Sequence, residues 1–298
     1  MRVATKIIIF IGNNSFMATL SKAIEEHLQE ELTLTPEQID FFQKNRFIKI
    51  KEVLNTATLD FFNEVISAYL LRFQEEKADP LAKRDTYGKA FLQVMNLWRE
   101  DSQIAALVFS RRLASLASQL MKTSGVRLYH DQALFKEPGG GYTPWHADQF
   151  YWPLSSDKTI TAWIPLQAVP AEMGPLEFSA GSHRILEGRE LSISDESEQM
   201  IGDKLRLTDC PHIAEPFDAG EISFHSGWIF HRAGPNRSNH MRKVMTVIYM
   251  DSEMRLKAPE NNNQQLDWET WCPGAAIDEI INTPLNPVLF ARKAALYS

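Results

Sequence analysis

Hydrophobic and polar positions follow two rhythms along this chain, and the change falls near Gly125. Before it the spacing is mainly helical. Thr35-Pro36-Glu37-Gln38 sets a capping hydroxyl before a proline at the first helical position, with a glutamine three residues on. That is a helix-start pattern, and it predicts a helix through Phe42. Met17 and the ATLSKAIEEH after it read as an earlier helical start. TLDFFNEVISAYLLRFQEE (58–76) has helical spacing, and Ile104, Leu107, Val108, Leu113, Leu116, Ala117 and Leu120 recur at helical intervals up to Gly125, which is expected to end the element. One interruption stands out. IKIKEVL (48–54) alternates apolar and charged residues as a half-buried strand does.

After Gly125 short apolar or alternating runs are separated by Gly, Pro, Asn and Asp. The best strand candidates are VRLYHDQALF (126–135), TITAWIPL (159–166), GPLEF (174–178), GEISFH (220–225) and RKVMTVIYM (242–250). Many short strands predict a β-sandwich or jelly roll, mainly β with flanking helices. The polar stretch 187–209 reads as a long loop over the site, and the chain beyond Asp251 as irregular structure with a helical end about 286–296. The expected organisation is one domain over 17–298. It comprises a helical part (17–125), a jelly-roll core (126–250) and a C-terminal extension (251–298), with 1–16 as an N-terminal extension.

Composition narrows the function classes. Of 298 residues 44% are hydrophobic and 23% charged, the balance of a soluble globular protein. A formal charge of −7 argues against a sequence-independent grip on nucleic acid, which needs a basic face. Cys210 and Cys272 lie far apart without metal-site spacing, and two cysteines are too few for a secreted disulfide scaffold, so a reducing, cytoplasmic setting is expected. No run approaches a membrane span, and the apolar stretch 7–11 is too short for a signal peptide and lacks a small-residue cleavage site after it. The expected partner is a small molecule.

The candidate chemistry centres on His146 and Asp148, between the glycine turn PGGGYTPW and an apolar strand. Residues i and i+2 of an extended segment share a face, so an imidazole and a carboxylate at this spacing can converge on one ion. The spacing alone is weak, and a third ligand must come from elsewhere. His231 is the candidate, with His225 its nearest rival and His240 a weaker one. Arg242 lies eleven residues beyond His231, across the turn Gly234-Pro235-Asn236, and adjacent antiparallel strands would bring both to one interior surface. An inward, permanently charged guanidinium needs an anion, and a carboxylate is its forked partner. Two histidines and one carboxylate with open positions form the facial triad of non-haem Fe(II) oxygenases. The open positions suit a chelating 2-oxo acid and O2, with Arg242 holding the far carboxylate of 2-oxoglutarate.

WHADQFYWP, AWIPL, GPLEFSAGSHR and HRAGPNRSNHMR, in this order, resemble the phytanoyl-CoA dioxygenase family of Fe(II)/2-oxoglutarate oxygenases over roughly residues 34–250. The resemblance implies a double-stranded β-helix, a jelly-roll, cupin-like barrel flanked by helices. It implies iron ligands at His146, Asp148 and His231 and a 2-oxoglutarate anchor at Arg242. Trp163 matches a position lining the cosubstrate pocket, Gln132 and Lys136 match polar positions that help hold 2-oxoglutarate, and Gln93 in FLQVMNLW is a looser match. One departure is Ala233, where many relatives carry a small hydroxyl residue two positions after the third ligand. Gly174 and Gly181 read as turn residues and His183 as a loop hydrogen-bonder.

The reaction this implies is hydroxylation of an aliphatic carbon of a small organic substrate, with release of succinate and CO2. Asp148 favours hydroxylation over halogenation, because related halogenases carry a small residue there. Phe150, Tyr151, Trp152 and Trp228 are candidates for an aromatic substrate wall, an arrangement as often simply core. An acyl-CoA fits by analogy, but no basic cluster marks a seat for its phosphates, which favours a free metabolite such as a natural-product intermediate. The alternatives are a non-catalytic, metal-binding cupin-like protein and, more weakly, a Zn²⁺ isomerase or hydrolase, which has no use for an anchor at Arg242.

Overall fold

The alternating segments pair into two antiparallel sheets. In this computed structural model residues 19–77, 88 and 90–292 are described, so the expected extension 1–16 and the helical start at Met17 lie outside them. Among the described residues the long strands are preceded by the helices α1 (Lys22–Gln29), α2 (Pro36–Asn45), α3 (Thr56–Lys77), α4 (Ser102–Val108) and α5 (Arg111–Met121). The capping box that opens α2 is formed, with Thr35 and Gln38 each accepting the other's backbone N–H. The apolar run 104–120 divides at Ser110, whose side chain caps α5, and Lys122 in a left-handed conformation (φ 55°) ends it. Gly125 instead opens a strand, where a Cβ would lie 2.5 Å from the Phe290 carbonyl oxygen of its neighbour.

The strands are β1 (Phe47–Ile50), β2 (Leu92–Met95), β3 (Gly125–Lys136), β4 (Thr143–His146), β5 (Thr159–Pro165), β6 (Leu176–Ser179), β7 (His212–Ala214), β8 (Ile222–Ser226), β9 (His231–Ala233), β10 (Arg242–Asp251) and β11 (Val288–Ala291). The larger sheet runs β1-β8-β5-β10-β3-β11 with β2 also on β3, and the smaller runs β4-β9-β6-β7. Both are antiparallel and neither closes on itself, the two walls of a jelly roll.

Each central strand is buried on both faces because each face has its own partner. Ala133, Phe135, Ala162, Ile164, Phe224, Met245 and Val247 point outward and pack on the helices. Leu134, Trp163 and Val244 point inward and meet Leu176 and Phe178 of the smaller sheet. The register therefore stacks inward residues in rungs across the larger sheet: Lys136 beside Arg242, Gln132-Thr246-Trp163-Ser223, and His130-Ile248-Thr161-His225. These rungs are the floor on which the site is built.

Three expectations are corrected. Residues 187–209 are not a plain loop: Ser194 caps α6 (Asp195–Arg206), whose Ile201 and Leu205 pack on Trp145 and Phe230. The tail holds α7 (Asn262–Trp271), capped by Asn261, where irregular chain was expected. Val288–Ala291 form β11 on β3 rather than a helical end, and 293–296 fall outside the described residues. Trp268 and Trp271 of α7 pack with Tyr129, Trp152 and Met250, so the extension closes one end of the barrel. Among the described residues no helix is long and apolar enough to cross a membrane.

Candidate active site

His146 is the last residue of β4, and Ala147 keeps the chain extended (φ −123°, ψ 124°) before a 3-10 turn opens at Asp148. The His-x-Asp pair therefore shares a face as extended spacing requires, although Asp148 itself lies just past the strand. β9 pairs with β4, setting His231 directly across from His146. The His146 and His231 Nε2 atoms lie 3.5 and 3.6 Å from Asp148 Oδ1, and ligand atoms of the three residues all fall within 4.8 Å of one another. His146 Nδ1 is 2.7 Å from the Pro144 carbonyl oxygen and His231 Nδ1 is 3.1 Å from that of Ile229. With Nδ1–H donating in each ring, both Nε2 lone pairs face the space beside Oδ1, the tautomer that a ligated ion requires.

Electrostatics agree with that use. Burial, reinforced by the His146 imidazole, holds His231 well below the usual histidine range and hence neutral. Burial pushes Asp148 up, but the His231, His146 and His225 imidazoles clustered about it outweigh that and hold the carboxyl well below its usual range, hence ionised. Neutral imidazoles and an ionised carboxylate are the ligating forms.

Arg242 and Lys136 are register partners at the far end of the interior. Arg242 is 1% exposed and Lys136 fully buried. Lys136 Nζ donates to the Gly141 and Gly234 carbonyl oxygens at 2.7 Å each, and Arg242 donates to Gly174 O at 2.5 Å while its Nε has no partner. Neither cation has an ion pair among the described residues. Burial draws both down from their ordinary pKa ranges, Arg242 to about 9. Two adjoining buried cations without a counter-charge are costly, and an orphaned Nε marks where an anion belongs. The residues thus fit 2-oxoglutarate, whose far carboxylate would supply the missing charge.

Comparison with known proteins settles the family. The phytanoyl-CoA dioxygenase family description matches residues 19–244, most of the chain. The chain belongs to the phytanoyl-CoA dioxygenase family. It is a non-haem iron, 2-oxoglutarate-dependent dioxygenase by class, and the cluster of His146, Asp148 and His231 lies within the matched residues. A probable alpha-ketoglutarate-dependent hypophosphite dioxygenase of Stutzerimonas stutzeri is 24% identical over 152 residues, 49% of this chain and 52% of that protein, so the match spans about half that relative's length. A methylphosphonate hydroxylase of Gimesia maris is 25% identical over 227 residues, 73% of this chain and 81% of the relative. The solved alpha-ketoglutarate-dependent epimerase SnoN from nogalamycin biosynthesis, in complex with Fe³⁺, alpha-ketoglutarate and nogalamycin RO, shares the fold at a TM-score of 0.67. It is 22% identical, over 85% of this chain and 98% of its own.

Within this family framework the remaining candidates fall as follows. Trp163 lies between Phe217 (4.7 Å between ring centroids) and the Arg242 guanidinium (5.5 Å), in the same interior cluster. Gln132 is in the same rung as Trp163 and accepts a hydrogen bond from Gln93 of β2. β9 and β10 belong to different sheets, so His231 and Arg242 meet across the barrel interior rather than on neighbouring strands. Phe150 and Tyr151 follow Asp148 in the 3-10 turn and are half-buried, with Tyr151 Oη accepting from Ile193 N at 2.8 Å. Trp152 is buried edge-on against Tyr129, and Trp228 lies under the Arg189 guanidinium at 4.4 Å. His240 is exposed in the turn before β10.

Three polar groups that the sequence did not mark also face the site. Thr143 is the register partner of Ala233, and its buried hydroxyl has no partner, so a hydroxyl stands beside the position where relatives carry one. Thr161 donates to Asp148 Oδ2 at 3.3 Å. His130, inward on β3 with its ring tilted against Trp271 of α7 at 5.0 Å, has a buried unpartnered Nδ1, and burial draws its pKa down to about 4.

Proposed function

We propose that this dioxygenase hydroxylates an aliphatic carbon of a small organic substrate, with His146, Asp148 and His231 as the iron ligands and Arg242, beside Lys136, as the 2-oxoglutarate anchor. The observation that carries the reading is the pairing of a three-donor cluster around Asp148 Oδ1 with the uncompensated cations Arg242 and Lys136 at the far end of one interior. Iron, when bound, supplies the oxygen activation that the side chains lack. The chain's own contribution is positional. His146, His231 and ionised Asp148 would hold the ion, and Arg242 would fix the cosubstrate's far end. Trp163 bounds the pocket between them, and the α7 extension with Trp271 and Trp152 keeps water from one end.

The substrate is read as a free, carbon-bearing small molecule. An alkylphosphonate leads the choice, because the relative matched over 81% of its length is named a methylphosphonate hydroxylase. Natural-product intermediates, the class suggested by the nogalamycin RO of the SnoN complex, and acyl compounds form the comparison classes. The test is succinate release across a panel of these three classes with Fe(II), 2-oxoglutarate and O2. The expected result is one class that raises succinate above the substrate-free background and gains one oxygen atom at carbon. Oxygen gain at phosphorus, or succinate release that no class stimulates, contradicts this reading.

A further inference from the structure

Asp148 has two oxygens in different surroundings. Oδ1 faces the Nε2 atoms of His146 and His231, while Oδ2 faces Thr161 Oγ1 at 3.3 Å and His225 Nε2 at 3.4 Å. Thr161 and His225 are direct register partners on β5 and β8, in the rung that crosses the barrel floor below the site. The His225 ring is 2% exposed and packs between Phe178 (5.6 Å) and His231 (4.5 Å). Neither of its nitrogens completes a hydrogen bond in this geometry, and its Nε2 lies outside the three-donor cluster. A buried imidazole left without any partner is costly, and Asp148 Oδ2 is an acceptor within reach of a small ring movement.

We propose that His225 is a positioning residue that, with Thr161, holds Asp148 Oδ2 and so makes this carboxylate a one-oxygen ligand. The consequence is chemical. A carboxylate free to bind through both oxygens takes two positions on the ion. One clamped through Oδ2 takes a single position and leaves three for a two-point 2-oxo acid and O2. The inference rests on the metal-centre reading above, and it assigns His225, which sequence left as a rival ligand, to the outer oxygen instead.

The test is anaerobic Fe(II) titration, with and without 2-oxoglutarate and without any substrate, of the wild type and of the His225→Leu, His225→Gln and Thr161→Val variants. His225→Leu is expected to weaken metal affinity roughly 10- to 100-fold, as loss of an outer partner of a ligand does. It is also expected to shift the charge-transfer absorption of the 2-oxoglutarate complex. His225→Gln, whose Nε2–H reaches the same point, restores most of both, and Thr161→Val gives a smaller loss in the same direction. Wild-type affinity and an unshifted band in His225→Leu overturn the proposal, as does a His225→Gln variant no better than leucine. A wild-type measurement guards against variants that misfold. In the metal-free protein ¹⁵N spectra of the histidine rings are expected to show His225 as the Nε2–H tautomer, and the Nδ1–H tautomer overturns the clamp. If the wild type itself takes up no stoichiometric iron, the metal-centre reading fails and the clamp with it. Wild-type uptake with an indifferent His225 removes the clamp alone.

Discussion

Asp148→Ala is expected to remove iron binding and 2-oxoglutarate turnover together while leaving the fold intact. Oδ1 is the point on which both imidazole Nε2 atoms converge, at 3.5 and 3.6 Å, and no other carboxylate joins the donor cluster among the described residues. Without it two neutral histidines remain, a donor set that offers the ion no charge compensation. The loss should exceed the roughly 10- to 100-fold that removal of an outer partner costs. The fold should survive because Asp148 opens a 3-10 turn held by backbone bonds, including Gln149 N to Gly227 O at 2.9 Å. Iron content after anaerobic loading, succinate release and thermal unfolding check the three parts. An alanine variant that retains iron and turnover removes Asp148 from the ligand set.

Arg242→Leu is expected to act in opposite directions on cosubstrate binding and on stability. Truncating one member of a buried charge pair costs about 2–5 kcal/mol, roughly 30-fold to several thousand-fold in affinity for 2-oxoglutarate. In the cosubstrate-free protein the sign reverses. Arg242 is then a buried cation with an unpartnered Nε and no counter-ion, and an apolar side chain of smaller volume relieves that burden. The unliganded variant should therefore unfold at a denaturant concentration no lower than the wild type. If Arg242 were a structural residue, its loss would destabilise the empty protein and leave 2-oxoglutarate affinity unchanged. Calorimetric titration with 2-oxoglutarate and urea unfolding of the unliganded protein separate the two.

What the sequence revealed depends on how much of each element's role is local. The long inward-outward strands show as apolar runs because each of their faces buries a full row of side chains, as in β5 and β10. β4, β7 and β9 have three or four residues, too few for alternation to register, although β4 and β9 carry two of the three proposed ligands. α6 and α7 were missed because each is mostly polar. α6 buries only Ser197, Ile201, Gly202 and Leu205, and α7 buries Gln264 and Trp271. Their start signals were nonetheless present, in the capping residues Ser194 and Asn261.

The site was legible where chemistry imposes spacing along the chain. His146-x-Asp148 is local, and His231 and Arg242 sit in one motif-bearing segment. Thr143, Thr161 and His130 were not, since their relation to the site comes from strand register alone, and His225 showed only as a rival ligand. His225 and His231 differ by six residues, yet one faces Oδ2 and the other Oδ1 of the same carboxylate. No pattern along the chain distinguishes those two oxygens. Only the pairing of β8 with β5 and of β9 with β4 does.

The central claim is that one interior holds iron at His146, Asp148 and His231 and 2-oxoglutarate against Arg242. Anaerobic addition of Fe(II) and then 2-oxoglutarate to the wild-type protein tests it most directly. The account predicts a charge-transfer absorption band that appears only with both components, saturates at stoichiometric iron, and decays with succinate release when oxygen is admitted. A protein that binds iron but gives neither band nor succinate contradicts it and is instead a non-catalytic metal-binding relative of the fold.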